Sequence, residues 1–134
     1  MNLFYNVGKG ADVPPRCVIV HYQGNPASKK VDLALIGKGV TYDTGGLHLK
    51  TYGNMEDMYG DKGGSCAVIG ALNGVIKLGI KKNIVFACGF AENAIGPGAY
   101  KPGDILKSMN GLHVEIGNTD AEGRLVLGDT MTYV

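Results

Sequence analysis

Three charged residues at alternating positions stand between two apolar runs near the end of the chain. Asp120, Glu122 and Arg124 fall within the octapeptide Asn118–Leu125, which reads NTDAEGRL. A charge run of this kind is typical of a solvated turn in which an arginine pairs with the acids. The flanks favour a chemical role, because residues 113–117 predict a strand and the residues from about 122 a helix. Acids at the carboxyl end of a strand lie where open α/β sheets bind ligands.

A second charged cluster lies upstream, after another predicted strand. Each member has an ordinary alternative: Lys50 could be a surface lysine, and Asp61 could cap the helix that follows it. Lys38 stands between two glycines, yet no helix opens after it as a phosphate-binding loop requires. The Asp43–Gly45 triplet resembles the aspartic-protease signature, but that fold is all-β, whereas a helix is predicted downstream. The cluster comprises Lys38, Asp43, Lys50 and Asp61.

The acids of the two clusters together predict a site for hard metal ions. Clustered carboxylates on loops repel one another unless a cation lies between them. Four carboxylates suffice for two divalent ions held about 3.5–4 Å apart by bridging oxygens. His48 is the only histidine within the motifs, so a histidine-rich zinc site is not expected, and we interpret His21, His48 and His113 as structural. The four acids are Asp43, Asp61, Asp120 and Glu122.

The elements that position these residues follow from the apolar pattern. Apolar runs bounded by turn residues predict strands, and apolar residues at helical spacing predict helices. Strands that alternate with helical crossovers indicate an α/β fold with a mixed, largely parallel sheet covered by helices. Residues 1–16, with Pro14 and Pro15, are predicted to be a connector. The expected strands are 17–22, 33–36, 83–88 and 113–117, and the expected helices are 63–78 and one from about 122.

Composition narrows the class of protein further. A chain of 134 residues with 45% hydrophobic and 19% charged residues fits one globular domain and excludes a disordered chain. The net charge of +1 argues against nucleic acid or an anionic membrane as partner. Cys17, Cys66 and Cys88 show no C-x-x-C spacing, which predicts reduced, buried thiols in a cytoplasmic protein. The sequence stops within a helical pattern that has no stop signal, so we expect a piece of a longer protein.

Three motifs in the correct order resemble those of the M17 leucyl aminopeptidases. They are Gly37–Gly46 (GKGVTYDTGG), Asp61–Gly64 (DKGG) and the octapeptide Asn118–Leu125, which is that family's signature. The resemblance runs from about residue 16 to the end. It implies that residues 17–134 form the metal-bearing first portion of a larger catalytic domain, and that residues 1–16 connect it to a missing N-terminal region. The departures, at Lys62, Ser65, Cys66 and Gly128, affect no ligand and concern only packing and substrate preference.

The resemblance also implies a role for each matching residue. It implies two divalent ions per chain, Zn²⁺ or Mn²⁺, with Mg²⁺ or Co²⁺ as alternatives. The ligands of the first ion would be Lys38, Asp43, Asp61 and Glu122, and those of the second Asp43, Asp120 and Glu122. The two catalytic residues would be Lys50 and Arg124, with a bicarbonate held near Arg124. The pocket for the substrate's N-terminal side chain would be lined by Met58, Asn118 and Ala121.

The activity that the resemblance implies is the release of N-terminal amino acids, with a leucine-type preference, by a metal-bridged hydroxide. The substrates would be peptides with a free N-terminus, and the full-length protein would be a cytoplasmic homohexamer. The 134-residue chain alone is expected to be inactive or weakly active. Two other classes remain open at this point. One is a DNA-binding role, against which the near-neutral charge speaks, and the other is an inert truncated or structural subunit.

Overall fold

A three-stranded mixed sheet forms the centre of the structure, a computed structural model that describes residues 1–134. Strands β1 (Arg16–Gln23), β2 (Leu33–Asp43) and β3 (Asn83–Asn93) lie in the order β1-β3-β2. The central strand β3 pairs antiparallel with β1 and parallel with β2. The mixed α/β class is therefore confirmed, and one of the two pairings in this sheet is parallel.

Strands β2 and β3 continue well beyond the ranges expected from sequence, 33–36 and 83–88. The glycines that follow Ile36 suggested the end of a strand, but they lie inside it. A β-carbon on Gly37 would lie 2.7 Å from the Ser65 Cα, so glycine here lets a helix approach the strand closely. As a result, Lys38 and Asp43 are carried by the strand itself.

Helix α2 (Gly63–Leu78) crosses one face of the sheet between β2 and β3 and confirms the expected helix. Its Val68 packs with Ile84, Phe86 and Cys88 of β3 in a buried cluster. The helix has no side-chain cap at its N-terminus, so the interpretation of Asp61 as a helix cap is wrong.

Two further helices, α1 (Asn2–Gly8) and α3 (Gly123–Tyr133), take part in a second buried cluster. The connector predicted for residues 1–16 is wrong for its first half, because α1 buries three of its side chains in that cluster. The two prolines that argued against a helix lie beyond its end. Asp129 of α3 accepts hydrogen bonds from the Leu3 and Phe4 amides at 2.8 and 3.4 Å and joins the two helices. The cluster contains Leu3, Phe4, Val7, Val40, Ala91, Tyr100, Ile116, Leu125 and Val126.

A separate two-stranded antiparallel sheet precedes the octapeptide. It pairs β4 (Ile105–Lys107) with β5 (His113–Glu115), so the strand predicted at 113–117 is shorter and lies outside the main sheet. The octapeptide then forms a 3₁₀ turn at Thr119–Ala121 before α3 begins. Its acids are therefore carried to the end of β2 by this turn, and not by a strand that neighbours β2 in the main sheet.

The three thiols are all free and differ in exposure. Cys88 is buried and Cys17 half-buried, but Cys66 is exposed, so the prediction of three buried thiols is wrong at Cys66. Burial raises the pKa of the Cys17 thiol, with a smaller contribution from Cys88. No helix has the length and apolar character needed to cross a bilayer.

Candidate metal centre

Three carboxylates meet where the end of β2 faces the 3₁₀ turn of the octapeptide. One oxygen from each of Asp43, Asp120 and Glu122 lies within 4.8 Å of the others. Asp43 and Glu122 are 3% and 1% exposed, so water screens their mutual repulsion poorly. This arrangement needs positive charge, and two lysines provide part of it.

Lys38 lies between two of the acids. Its Nζ is 2.6 Å from Glu122 Oε1 and 2.8 Å from both carboxylate oxygens of Asp61. Burial alone would lower the pKa of Lys38, but the hydrogen bonds to Asp61 and Glu122 outweigh it and raise that pKa above its ordinary value. A β-carbon on Gly123 would lie 3.1 Å from the lysine side chain, which explains a glycine directly after Glu122.

Lys50 occupies the equivalent place beside the other two acids. Its Nζ lies 2.6 Å from Asp120 Oδ1 and 3.3 Å from Asp43 Oδ2. Burial opposes the charged form, but the hydrogen bond to Asp120 and the charge of Asp43 together raise the pKa of Lys50. The ammonium therefore stays protonated at neutral pH and can act only as a donor.

Glu122 is the acid of the centre whose pKa is raised, and the two lysines do not balance the charge of the four carboxylates. Burial raises the pKa of Glu122, and the charge of Asp43 adds to that effect, while the hydrogen bond from Lys38 opposes it without cancelling it. Four carboxylates face two ammonium groups, which leaves a formal excess of two negative charges.

The oxygens of the centre fit metal ions. Asp61 Oδ2 and Asp120 Oδ1 are buried and lack a well-oriented hydrogen bond, although a lysine Nζ lies within 2.8 Å of each. Ionised carboxylate oxygens only accept, so a cation is the natural partner of such atoms. A set of carboxylates with one amine suits hard and borderline divalent ions such as Mg²⁺, Mn²⁺ and Zn²⁺. The structure thus brings together all five residues predicted as ligands.

The loop after β2 is shaped so that Asp43 and Lys50 can both face this centre. Gly45 donates its amide to Asp43 Oδ1 at 2.9 Å and has a φ of 85°, which favours glycine. A side chain there would clash with the carbonyl oxygen of His48. His48 itself accepts the Thr119 amide on Nδ1 at 3.0 Å. This contact agrees with the interpretation of His48 as structural.

The residues expected around the metals divide between two cavities. Asn118, Ala121 and Arg124 line one of about 250 Å³, in which the Arg124 guanidinium forms no ion pair. Lys50 lines the other, of about 430 Å³, together with Asn118. Met58 lies in a 3₁₀ turn just before Asp61 and lines neither cavity, so the structure does not bring it together with the other two pocket residues.

Three buried polar residues beside the centre were missed from sequence. Asn93 and Thr119 have no exposed surface, Tyr100 is 3% exposed, and all three bond to the loops that carry the acids. No local signal identifies Asn93, because the apolar runs predict strands that end at residues 36 and 88, before both Asp43 and Asn93. The parallel register pairs these two residues directly.

Comparison with known proteins identifies the class to which this fold and acidic centre belong. The sequence model of the cytosol aminopeptidase family, catalytic domain, matches residues 1–134. The chain therefore belongs to the cytosol aminopeptidase family, peptidase family M17, and the resemblance inferred from the motifs is confirmed.

Individual relatives refine this assignment. The chain is 48% identical over 134 residues to a probable cytosol aminopeptidase of Fusobacterium nucleatum, all of this chain and 28% of that one. It is 42% identical, with a TM-score of 0.93, to the leucine aminopeptidase of Caenorhabditis elegans, covering 98% of this chain and 27% of that one. The chain is 38% identical, with a TM-score of 0.90, to the bottromycin maturation enzyme BotP in complex with Mn. This match covers 98% of this chain and 28% of that one. The chain thus spans a little over a quarter of the length of these relatives.

Proposed function

We propose that the complete protein is a two-metal aminopeptidase that releases N-terminal residues, with a leucine-type preference, from peptides. The observation that carries this proposal is the meeting of Asp43, Asp120 and Glu122 within 4.8 Å, with a lysine on either side. Membership of the cytosol aminopeptidase family supports the reaction class.

The ligands divide into two overlapping sets. The Lys38 ammonium contacts both Asp61 and Glu122, and these three residues would hold one ion together with Asp43. Asp120 would hold the second ion with Asp43 and Glu122. Lys38 would bind as a neutral amine, because a protonated ammonium has no lone pair to donate. Zn²⁺ or Mn²⁺ suits this mixed set, with Mg²⁺ or Co²⁺ as alternatives. The relative in complex with Mn supports a divalent ion.

The chain's own residues would bind and polarise the peptide. The bound ions supply a hydroxide near neutral pH by lowering the pKa of a water molecule. Lys50 lines the larger cavity as a fixed ammonium, so it can donate to the scissile carbonyl and stabilise the negative charge that develops there. Arg124 offers a planar, unpaired guanidinium, which matches a bicarbonate ion in two parallel hydrogen bonds. Arg124 would hold this ion, which would supply general-base chemistry during attack on the peptide bond.

The cavity of about 250 Å³ is the proposed pocket for the side chain of the substrate's N-terminal residue. Its lining combines Ala121 and Leu125 with the polar Asn118, and such a cavity accepts an aliphatic side chain beside a hydrogen-bonding group. Asn118 also accepts the Asp120 amide at 2.7 Å, which fixes the turn at the cavity's edge. Met58 is proposed as a third pocket residue on the resemblance alone.

Assembly and location follow from the family resemblance. We propose a homohexamer in the cytoplasm, acting on peptides with a free N-terminus. The 134-residue chain alone should be inactive or weakly active and prone to associate, because Val18, Ile69 and Ile76 leave about half of their surface exposed. With a net charge of +1, nucleic acid is not a proposed partner.

A metal-dependent assay tests the function. The complete protein, stripped with a chelator and reloaded with Mn²⁺ or Zn²⁺, should hydrolyse leucine p-nitroanilide, whereas the metal-free protein should not. The 134-residue chain serves as a parallel sample and should show little turnover. Hydrolysis that persists fully in the stripped protein would contradict the two-metal proposal, and failure of the reloaded protein on any aminoacyl anilide would contradict the reaction class.

A further inference from the structure

Asn93 connects two of the three segments that carry the predicted ligands of the metal centre. It ends β3 beside Asp43, its partner in the parallel register, and has no exposed surface. Its Nδ2 donates to Asp43 Oδ1 at 2.7 Å and to the Thr119 carbonyl oxygen at 3.0 Å. One amide group thus joins the end of β2 to the turn that presents Asp120 and Glu122.

The chemistry of the two partners fixes the orientation of this amide. A carboxylate oxygen and a backbone carbonyl can only accept hydrogen bonds, so both must meet the NH₂ group. The reversed amide would direct its own oxygen at the Asp43 carboxylate and lose both bonds. Asn93 Oδ1 has no hydrogen-bond partner, and the side chain keeps this orientation despite that cost.

The two carboxylate oxygens of Asp43 therefore have different partners. Oδ1 accepts hydrogen bonds from the Asn93 side chain and from the Gly45 amide at 2.7 and 2.9 Å. Oδ2 faces Lys50 at 3.3 Å. The hydrogen bonds to Oδ1 therefore fix the orientation of the carboxylate, and Oδ2 faces the metal centre.

We propose that Asn93 is a positioning residue of the metal centre, which orients the Asp43 carboxylate and holds the Thr119 turn against the end of β2. The inference rests on the proposed function, in which Asp43 contributes to both ions. Hydrogen-bond partners of ligating residues orient them, and their loss typically costs about 10–100-fold in metal affinity or activity. Asn93 is expected to act through Asp43 without touching an ion.

The same strand offers a matched control. Asn83, at the other end of β3, is also a buried asparagine, at 7% exposure. Its Nδ2 also donates two hydrogen bonds, but both go to backbone carbonyls, those of Ser28 at 2.8 Å and Lys30 at 3.2 Å. Asn93→Leu and Asn83→Leu each replace a buried amide by an apolar side chain of similar size, but only one of the two lies at the metal centre.

The test is a Mn²⁺ titration of the metal-free complete protein by calorimetry, alongside thermal unfolding of the same samples. Both leucine variants should unfold at lower temperature than the wild type, and Asn93→Leu alone should bind Mn²⁺ about 10–100-fold more weakly. Asn93→Ala adds no bulk and should weaken binding in the same way, so it replaces the leucine variant if that protein does not fold.

Two results would overturn the inference. One is wild-type Mn²⁺ affinity in whichever Asn93 variant folds, and the other is an equal loss of affinity in Asn83→Leu, which would mean that general destabilisation is the cause. Failure of the proposed function looks different, because the wild-type protein itself would then bind no Mn²⁺ at this centre.

Discussion

The Lys38 ammonium and the Glu122 carboxylate lie 2.6 Å apart, and the exposed fractions of their side chains are 26% and 2%. A contact of this kind is an ordinary ion pair in the absence of metal. It is also the arrangement expected of two ligands that share one ion, since both side chains then approach it from the same side. The two explanations make opposite predictions for substitutions of the lysine.

Lys38→Arg should empty the first metal site, whereas Lys38→Met should disturb metal binding less. Arginine keeps a positive charge that it does not give up in a protein, so it places a cation against the ion. Methionine has a similar apolar stem and no charge. Metal analysis of the two purified full-length variants checks this. If the pair were only an ion pair, arginine would be tolerated and methionine would not, and an arginine variant with two metals would show that Lys38 is not a ligand.

Substitutions of the bridging acids should affect metal content, whereas substitutions of the two catalytic residues should affect mainly kcat. Asp43→Asn and Glu122→Ala are expected to lose bound metal together with turnover, because both residues lie in the shared part of the centre. Lys50→Ala and Arg124→Ala should keep two metals and lose mainly kcat, on the order of 10²–10³-fold, as groups that act on the transition state do. The measurement is metal content beside steady-state kinetics. Two metals per chain in Glu122→Ala would refute the ligand assignment.

Thr119→Val should destabilise the protein by roughly 1–3 kcal/mol, the typical cost of leaving buried groups unpaired. The Thr119 hydroxyl accepts the His48 amide at 2.8 Å and donates to the Gly45 carbonyl at 2.6 Å, so it links the two loops of the centre. Thr132→Val is the control, since that exposed hydroxyl only donates to Gly128 within its own helix. Chemical denaturation of both variants gives the comparison. Equal stabilities of the two variants would contradict the link.

The raised pKa of the buried Tyr100 hydroxyl leads us to expect that the protein loses stability at alkaline pH. Its hydroxyl donates to the Thr119 carbonyl at 2.6 Å, and burial, with the charges of Glu122, Asp43 and Asp120 adding to it, raises the pKa of Tyr100. The unfolded chain releases this proton near pH 10, where the folded protein still holds it, so stability should fall as pH rises above about 10.

Urea unfolding at a series of pH values up to about 11 measures this dependence. Tyr100→Phe should flatten it, while Tyr52→Phe should not, because Tyr52 is 99% exposed. An unchanged slope in Tyr100→Phe would mean that other groups cause the alkaline loss.

The sequence predicts those parts of the fold that local patterns determine. Helix α2 follows from apolar residues at helical spacing, and its predicted range agrees with the structure. Helix α1 was missed because it has only seven residues, and its stability comes from contacts that no local pattern shows. The Leu3 amide, for example, donates to a carboxylate 126 positions away. The extent of β2 was missed for a related reason, since the role of Gly37 depends on the helix packed against it.

In the candidate site, too, the sequence identifies some residues and only the structure identifies others. Its charged residues could be named from sequence because carboxylates and lysines within short motifs indicate their chemistry by type and spacing. Asn93 could not, because an asparagine at a strand end has no evident role until the register places it opposite Asp43. Met58 illustrates the reverse case, in which the resemblance implies a pocket residue that this structure does not bring to the pocket.

The bond between Leu3 and Asp129 also constrains the order in which the protein can assemble. Helix α1 is synthesised before α3, and the carboxylate that accepts its hydrogen bond follows 126 residues later. At ribosomal rates of about 5–20 residues per second, that interval is on the order of 6–25 s. During it, Leu3, Phe4 and Val7 lack the cluster that buries them. Helix α1 is therefore expected to become protected only after α3 has left the ribosome.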